Sequence, residues 1–565
     1  LIPEDIEVIL DNIVASHEDV SLSKFDSGSN GSTVAILDIL ADGKTFKVEL
    51  IIPYFFPSAL PEARLVPEST TLNNFAHISR NGVICLFNSE DLLLNQDDPK
   101  GILEIYIKKL VRRFEGDLDK DINYQILDEF EAYFSQTTNN QKIYLIYEPG
   151  STDYKLSLLK GNDQIGYIYK QLEDVISYNN KKENPKGQII NVVHAFLDSI
   201  KPSEIREVIN FESLTCKVAK DFIENNLSQD QKKRITKAIG RRRRSKQFIL
   251  LSLDRPSGGL IFLLLVFMGK GNSNPYFTPS NQTKLEIIKP IVVTKKHLLS
   301  RGGTDRYVSD KRIMIVGLGS VGSIVANNLL HSGYTNLTFV DNDNLLPENT
   351  FRHLLGRKYW FKNKANAMKL YFEELYPFIQ IEIIANDVHN VPNIFSDFDL
   401  TILLTGDPNL ELYYNDLYHK EKANNSLIIA WNEPLGIGGH SLLMINPITK
   451  GCYRCLFDPD SESYSNRAAF VAPGQVFGTK ANSCGETYIE YGFSDSVKTA
   501  ELVSRQVELV FSDKVVNNPL FSWKGDASQI VGRGFAVSPR FTANRETEVV
   551  LNSLYYRENC KVCNE

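Results

Sequence analysis

Ile313-Met314-Ile315-Val316 is an apolar run, and Gly317-Leu318-Gly319-Ser320-Val321-Gly322 follows it directly. A helix-like segment continues to Leu330, and a second apolar run, Leu337-Thr338-Phe339-Val340, ends in Asp341-Asn342-Asp343. Strand, glycine turn, helix, strand and acid form the order of a βαβ nucleotide-binding unit. Gly317 permits the tight turn, Gly319 lets backbone N–H groups approach a phosphate, and Gly322 lets helix and strand pack closely. The helix N-terminus adds partial positive charge where the phosphate would lie. Asp341, about 20 residues beyond the glycines, is placed to bond a ribose hydroxyl. To this point NAD and ATP fit equally well.

The residues that follow favour ATP. Asn349 and Arg352 lie just beyond the acidic strand end, then Lys364, then Asp407 after the run Leu400-Thr401-Ile402-Leu403-Leu404. Hydride transfer has no evident use for these groups. Adenylation does: cations stabilise charge developing at the α-phosphate, and a carboxylate holds Mg²⁺. Cys452-Tyr453-Arg454-Cys455 and Cys560-Lys561-Val562-Cys563 then make two CxxC hooks. Each suits two corners of a closed tetrahedral thiolate site, which predicts structural Zn²⁺. A redox dithiol is the alternative, although a reactive CxxC normally stands alone.

This ordered set resembles the E1 family that activates ubiquitin-like proteins, with its bacterial ThiF and MoeB-type relatives, from about residue 301 onward. The resemblance carries nucleotide binding onto Gly317, Gly319, Gly322, Asp341, Asn349, Arg352, Lys364 and Asp407. It implies that Cys484, in Asn482-Ser483-Cys484-Gly485-Glu486, takes the activated acyl group as a thioester. The alternative for Cys484 is a buried structural thiol. Related enzymes also carry an arginine that reaches the partner subunit's ATP; Arg301 is the candidate, Arg306 its rival, and a plain surface arginine the third reading. A head-to-head homodimer is the family's usual state.

The first 135 residues carry a second resemblance. Phe46 to Ile52 alternates like a strand, and Pro53-Tyr54-Phe55-Phe56-Pro57-Ser58-Ala59-Leu60-Pro61 follows. The strand-like Ala63-Arg64-Leu65-Val66 comes next, then His77 and Asn81-Gly82-Val83-Ile84-Cys85-Leu86. This is similar to the ubiquitin-conjugating (E2) family, which implies a second thioester at Cys85. The family's His-Pro-Asn element is missing. His77 is either a substitute polar group or a structural histidine.

The expected fold class is α/β and α+β multidomain: a UBC-like α+β domain over residues 1–140, an α/β linker domain over 141–298, and a Rossmann-like E1/ThiF adenylation domain with the zinc site over 299–565. In the linker, strands are expected at Ile143–Tyr147, Phe248–Leu253, Leu260–Phe267 and Leu285–Val293, a helix at Ile189–Ile200 and a loop at Ser177–Pro185. The linker carries no chemical motif, and Cys216 reads as a core residue. A helical stretch is expected from Gly101 to Phe134 and another from Val497 to Phe511.

Composition sets bounds on this reading. A length of 565 residues allows several cores, and 42% hydrophobic with 23% charged residues is ordinary globular composition. A net charge of −7 argues against nucleic acid as the main partner. Arg241-Arg242-Arg243-Arg244 is a local exception, read as a solvated face. No apolar run is long enough to span a bilayer. Seven cysteines, four of them in hooks, predict a reducing, cytoplasmic setting. The chain opens at Leu1 rather than Met, and no targeting segment is visible.

An E2-like front and an E1-like back resemble the E2–E1 fusions of bacterial antiphage (CBASS) operons. That resemblance implies activation of a partner's C-terminus, namely that of a cyclic-oligonucleotide synthase, and its attachment to a target amine. Three other readings stay open: a ThiF/MoeB-type activator of a sulfur carrier or small ubiquitin-like protein, an NAD-dependent oxidoreductase, and a non-catalytic scaffold.

Overall fold

The computed structural model describes residues 3–41, 43–66, 77–79, 81–87, 92–114, 122–131, 142–161, 165–180, 186–197, 200, 214–303, 310–457, 459, 464–480, 487–512, 514–544, 548–552 and 555–564. They fall into two units. One comprises Leu1–Val175 with Pro185–Thr294; the other comprises Ile176–Asn184 with Lys295–Glu565.

The first unit opens with helix Pro3–Val14, followed by an antiparallel meander of β1 (Val20–Ser27), β2 (Thr33–Ala41), β3 (Lys44–Ile52), β4 (Glu62–Leu65) and β5 (Val83–Ile84), in that spatial order. Alternation decides its inner face: Ala35, Leu37 and Ile39 of β2 and Phe46, Val48 and Leu50 of β3 are buried. Helix Pro99–Phe114 covers them with Leu103, Ile107 and Leu110. Of the expected helical stretch 101–134, the described residues form helices Pro99–Phe114 and Ile122–Asp128 and a turn at 129–131, while 115–121 and 132–134 lie outside the described residues.

A second sheet of this unit contains β6 (Lys142–Leu145), β7 (Lys155–Lys160), β8 (Ile165–Tyr169), β9 (Gln188–Leu197), β10 (Lys246–Asp254), β11 (Leu260–Met268), β12 (Lys284–Ile288) and β13 (Ile291–Val292). Its order is β12-β11-β10-β9-β7-β8-β6-β13. The expected helix at 189–200 is a correction, because residues 189–197 belong to β9, while 198–199 lie outside the described residues. Four of its first six residues (Ile189, Ile190, Val192, Val193) are β-branched, which favours a strand. β9 pairs parallel with β10 and antiparallel with β7, a central place that burial on both faces requires. The expected loop at 177–185 is helical at its start, since helix Leu172–Asn179 runs into it, and 181–185 lie outside the described residues. The expected strand at 285–293 is split between β12 and β13. Cys216 is buried, as its apolar setting predicts.

In the second unit, β14 (Arg312–Val316), β15 (Asn336–Val340), β16 (Gln380–Ile384), β17 (Leu400–Leu403) and β18 (Ser426–Asn432) are parallel. β19 (Gly438–Met444), then a small ribbon of β20 (Thr479–Lys480) and β21 (Thr487–Tyr488), then β22 (Pro519–Lys524) and β23 (Glu548–Asn552) complete the set. The large sheet runs β16-β15-β14-β17-β18-β19-β22-β23, antiparallel beyond β18. Chain order reverses between β14 and β17, so their carboxyl ends open the crevice where a doubly wound sheet binds its ligand.

Helix Phe493–Phe511 packs Ala500, Val503 and Val507 against this sheet and against helix Ser320–His331. Its buried stripe is partly polar. Gln506 donates to the carbonyls of Ser441 (2.9 Å) and Pro519 (3.1 Å), and Thr499 accepts from the Trp523 indole N–H (2.7 Å).

Candidate functional site

The glycine turn is held by backbone contacts that leave no room for side chains. Gly317 has φ +86°, and a Cβ on Gly322 would stand 1.9 Å from the Gly317 carbonyl oxygen. A Cβ on Gly319, the cap of helix Ser320–His331, would meet open space instead. Asp341 closes the turn from β15: its carboxylate accepts from Leu318 N–H (2.6 Å) and Asp343 N–H (2.8 Å). Burial pushes this carboxyl above the usual carboxylate range, against the pull of Lys364 and of the two N–H donors.

A cleft of about 1500 Å³ lies beside the turn, with Asp343, Asn349, Arg352 and Lys364 on one side and Leu435 and Glu490 on the other. Lys364 pairs with Asp343 (2.8 Å), while Arg352 makes no ion pair among the described residues. The Arg352 guanidinium instead lies 5.6 Å from the centre of the Tyr491 ring, whose hydroxyl is 3.0 Å from Ser320 Oγ. Asn349 accepts from Leu346 N–H and shapes the short turn that presents Arg352.

Asp407 follows β17 and caps helix Pro408–Lys420, accepting from Asn409 and Leu410 N–H through Oδ1. Its Oδ2 has no partner among the described residues, which fits a carboxylate able to hold Mg²⁺. Asp407 does not line the cleft proper. Arg301 ends helix Lys295–Arg301, is exposed and lies outside the cleft lining. Arg306 and Cys484 lie outside the described residues.

Sequence reasoning missed three groups here. His353 is 4% exposed: Nδ1 accepts from Leu355 N–H (2.9 Å), so Nε2 carries the proton and donates to the Leu318 carbonyl (2.8 Å). It therefore pins the glycine turn from below. Burial holds it neutral, its pKa pushed down to about 4. Glu411 is fully buried and accepts from Tyr453 OH (2.8 Å), Thr405 Oγ1 (3.2 Å) and Gly406 N–H (3.2 Å). Burial raises its pKa to about 8. Glu411 thus ties the first cysteine hook to the turn that carries Asp407. Tyr491, beneath Arg352, is the third.

The His353 shift has a consequence for stability. An unfolded histidine titrates near 6.5, so between pH 6.5 and 4 the unfolded chain binds a proton that the folded chain refuses. Stability contributed by neutral His353 is present above that window and lost as pH falls through it, by about 3 kcal/mol at most. All three tryptophans (Trp360, Trp431, Trp523) lie in the second unit. Their fluorescence in urea should show the acid loss, and His353→Gln should flatten it. An unchanged slope in the variant would remove His353 from this role.

The four hook cysteines converge. Cys452, Cys455, Cys560 and Cys563 are buried with their sulfurs within 4.8 Å of one another. Three sulfur pairs are 3.9, 3.7 and 3.5 Å apart. A tetrahedron with Zn–S bonds of about 2.3 Å has edges of about 3.8 Å. A disulfide needs sulfurs about 2.05 Å apart. The donor set therefore fits Zn²⁺, and none of these pairs is a formed disulfide. Elemental analysis of the purified protein is expected to give close to one zinc per chain, and chelation to lower the tryptophan-reported stability. A metal-free, equally stable protein would overturn this.

Cys85 is exposed just past β5. Gly82 has φ +81°, and a Cβ there would stand 2.6 Å from the Leu65 carbonyl, which fixes glycine ahead of the cysteine. The ring of His77 contacts Gln125 and Glu129. No helix among the described residues is long and apolar enough to cross a membrane.

Residues 298–487 match the ThiF family and residues 12–143 match prokaryotic E2 family B. The ATP-dependent ubiquitin transferase-like protein Cap2 of Vibrio cholerae is 23% identical over 531 residues, 85% of this chain and 88% of that protein. Cap2 of Pseudomonas aeruginosa is 27% identical over 224 residues, and the match spans 39% of this chain but only 40% of that protein. Crystal structures of Escherichia coli MccB are similar at 17% identity, among them one with ATP, which covers 48% of this chain and 70% of the other at a TM-score of 0.32. The chain thus carries a region that matches prokaryotic E2 family B ahead of a region that matches the ThiF family, the domain order of an E2–E1 fusion.

Proposed function

We propose that this chain activates the C-terminus of a partner protein with ATP and passes it through two cysteines to an amine. The observation that carries the reading is the cleft. It brings the glycine turn's neighbours Arg352 and Lys364 to one wall, and its volume of about 1500 Å³ leaves room for a nucleotide and an extended chain end. Asp341 would meet the ribose, and Arg352 and Lys364 the phosphates. Asp407 would hold Mg²⁺, which when bound neutralises charge on the phosphates. The partner's carboxylate attacks the α-phosphate, the bond to pyrophosphate breaks, and an acyl-adenylate forms. The Cys484 thiolate then displaces AMP to give a thioester. Cys85 takes the acyl group by thioester exchange, and an amine releases it as an amide. Holding both cysteines in one chain replaces a bimolecular handover with an intramolecular one. Zn²⁺ at the four-cysteine site would hold structure and take no part in these steps.

The names of the Cap2 relatives support a ubiquitin-transferase-like activity. We assign the partner, on the resemblance to antiphage fusions, to a cyclic-oligonucleotide synthase, and the assembly to a homodimer through the ThiF domain with Arg301 reaching across. The cytoplasm suits the reduced thiols. The test is a capture. Cys85→Ala, incubated with host lysate and ATP, should retain one protein joined through its C-terminal residue by a reductant-labile bond. An adduct that forms without ATP, or through a side chain, would sink the proposal.

A further inference from the structure

Cys85 is positioned by a chain of contacts that begins in the second sheet of its unit. The Cys85 N–H donates to the His77 carbonyl at 2.8 Å. His77 itself has φ +61°, a left-handed conformation that a non-glycine residue keeps only when its surroundings hold it. They do so through the ring: Nδ1 lies 2.6 Å from the Glu129 carboxylate and Nε2 lies 3.0 Å from Gln125 Oε1. Gln125 and Glu129 are four residues apart, on one face of the segment that starts as helix Ile122–Asp128. Both ring nitrogens are thus engaged by this segment, which holds His77 in position.

The adjacent face of that segment is gripped by the other sheet. Ile126 and Phe130 are fully buried in the core that contains Ile249, Leu251 and Leu263 of β10 and β11. The turn between these strands adds polar contacts. The Arg255 guanidinium donates to the Asp128 carbonyl and pairs with Glu131 (3.0 Å). Ser257 N–H donates to the Asp128 carboxylate (2.8 Å), and Tyr124 OH donates to the Pro256 carbonyl (3.2 Å).

We propose that residues 122–131 are a strut through which the second sheet fixes the Cys85 segment, and that His77, held by Glu129 and Gln125, is the positioning residue at its tip. This gives the sheet without chemical motifs a task, to set the geometry of the acceptor cysteine in place of the missing His-Pro-Asn element. The meaning for catalysis rests on Cys85 being a thioester acceptor; the mechanical coupling does not.

The experiment uses the full chain and two readouts: hydrogen exchange of the 81–87 amides, and the rate of iodoacetamide alkylation at Cys85 read by peptide mass spectrometry. His77→Ala should raise local exchange roughly tenfold and Arg255→Ala, placed in the other sheet, roughly threefold, as expected for losing one or part of one hydrogen bond. Both should change Cys85 alkylation while tryptophan fluorescence stays unchanged. Glu129→Gln, which keeps an acceptor, should stay close to wild type. Wild-type exchange at 81–87 in both alanine variants would overturn the proposal, as would a rise spread evenly over the whole first unit. If His77→Ala does not fold, Arg255→Ala alone decides by the same criterion. A wild-type chain that never forms a reductant-labile adduct on Cys85 would defeat the thioester reading and leave the exchange result standing.

Discussion

Asp407→Asn is expected to lower ATP–pyrophosphate exchange by roughly a hundredfold to a thousandfold when the captured partner protein is present. The asparagine keeps a side-chain oxygen for Asn409 N–H, so helix Pro408–Lys420 retains its cap. What it removes is the negative charge that would hold Mg²⁺ near the α-phosphate. Asp407→Ala removes charge and cap together, adding about 1 kcal/mol of helix destabilisation. Comparing the two separates chemistry from folding. ATP should still bind the asparagine variant weakly, whereas NAD should bind neither variant nor wild type. Normal exchange by Asp407→Asn would take this carboxylate out of the mechanism.

The second large effect concerns the order of the two thiols. Cys484→Ala should still form the acyl-adenylate but yield no thioester anywhere on the chain. Cys85→Ala should stop one step later, with the partner held on Cys484 as a band that vanishes on adding reductant. A thioester exchanges with free thiols, and an amide does not, so a reductant-resistant conjugate should appear only with both cysteines intact. The expected loss of that conjugate is complete in either variant, because each step needs a sulfur nucleophile and alanine supplies none. Loading of Cys85 in the Cys484→Ala protein would reverse the proposed order.

Much of this architecture was legible because local pattern and tertiary demand agree. The alternation of β3 reads directly as a half-buried strand, and the glycine at 322 is dictated by the Gly317 carbonyl within its own βαβ unit, whereas Gly317 also answers to the backbone of Leu404 and Thr405 beyond β17. The two cysteine hooks were legible because thiolate pairs at that spacing have few other uses. β9 was misread because a short apolar run carries no periodicity able to separate strand from helix, and its two neighbouring strands come from distant sequence. His353 and Tyr491 were invisible for a related reason. His353 answers to a backbone carbonyl 35 residues away, and Tyr491 meets Ser320 across 171 residues. Glu411 reads as a surface acid on an amphipathic helix until Tyr453 is seen to fold over it.

The polar stripe on helix Phe493–Phe511 bears on motion. An apolar helix lying on an apolar sheet can shift by a turn, about 5.4 Å, and repack with similar partners. This helix cannot do so cheaply. A one-turn shift would strand the Gln506 amide and the Thr499 hydroxyl without their partners on Ser441, Pro519 and Trp523, each at a cost of about 1–3 kcal/mol for a buried polar group. Its hydrogen bonds act as a ratchet stop, keeping Gly492 at a set distance from the glycine turn. On the proposed reaction, the helix would serve as a fixed rail at the edge of the cleft, which Gly492 and Asp495 help to line.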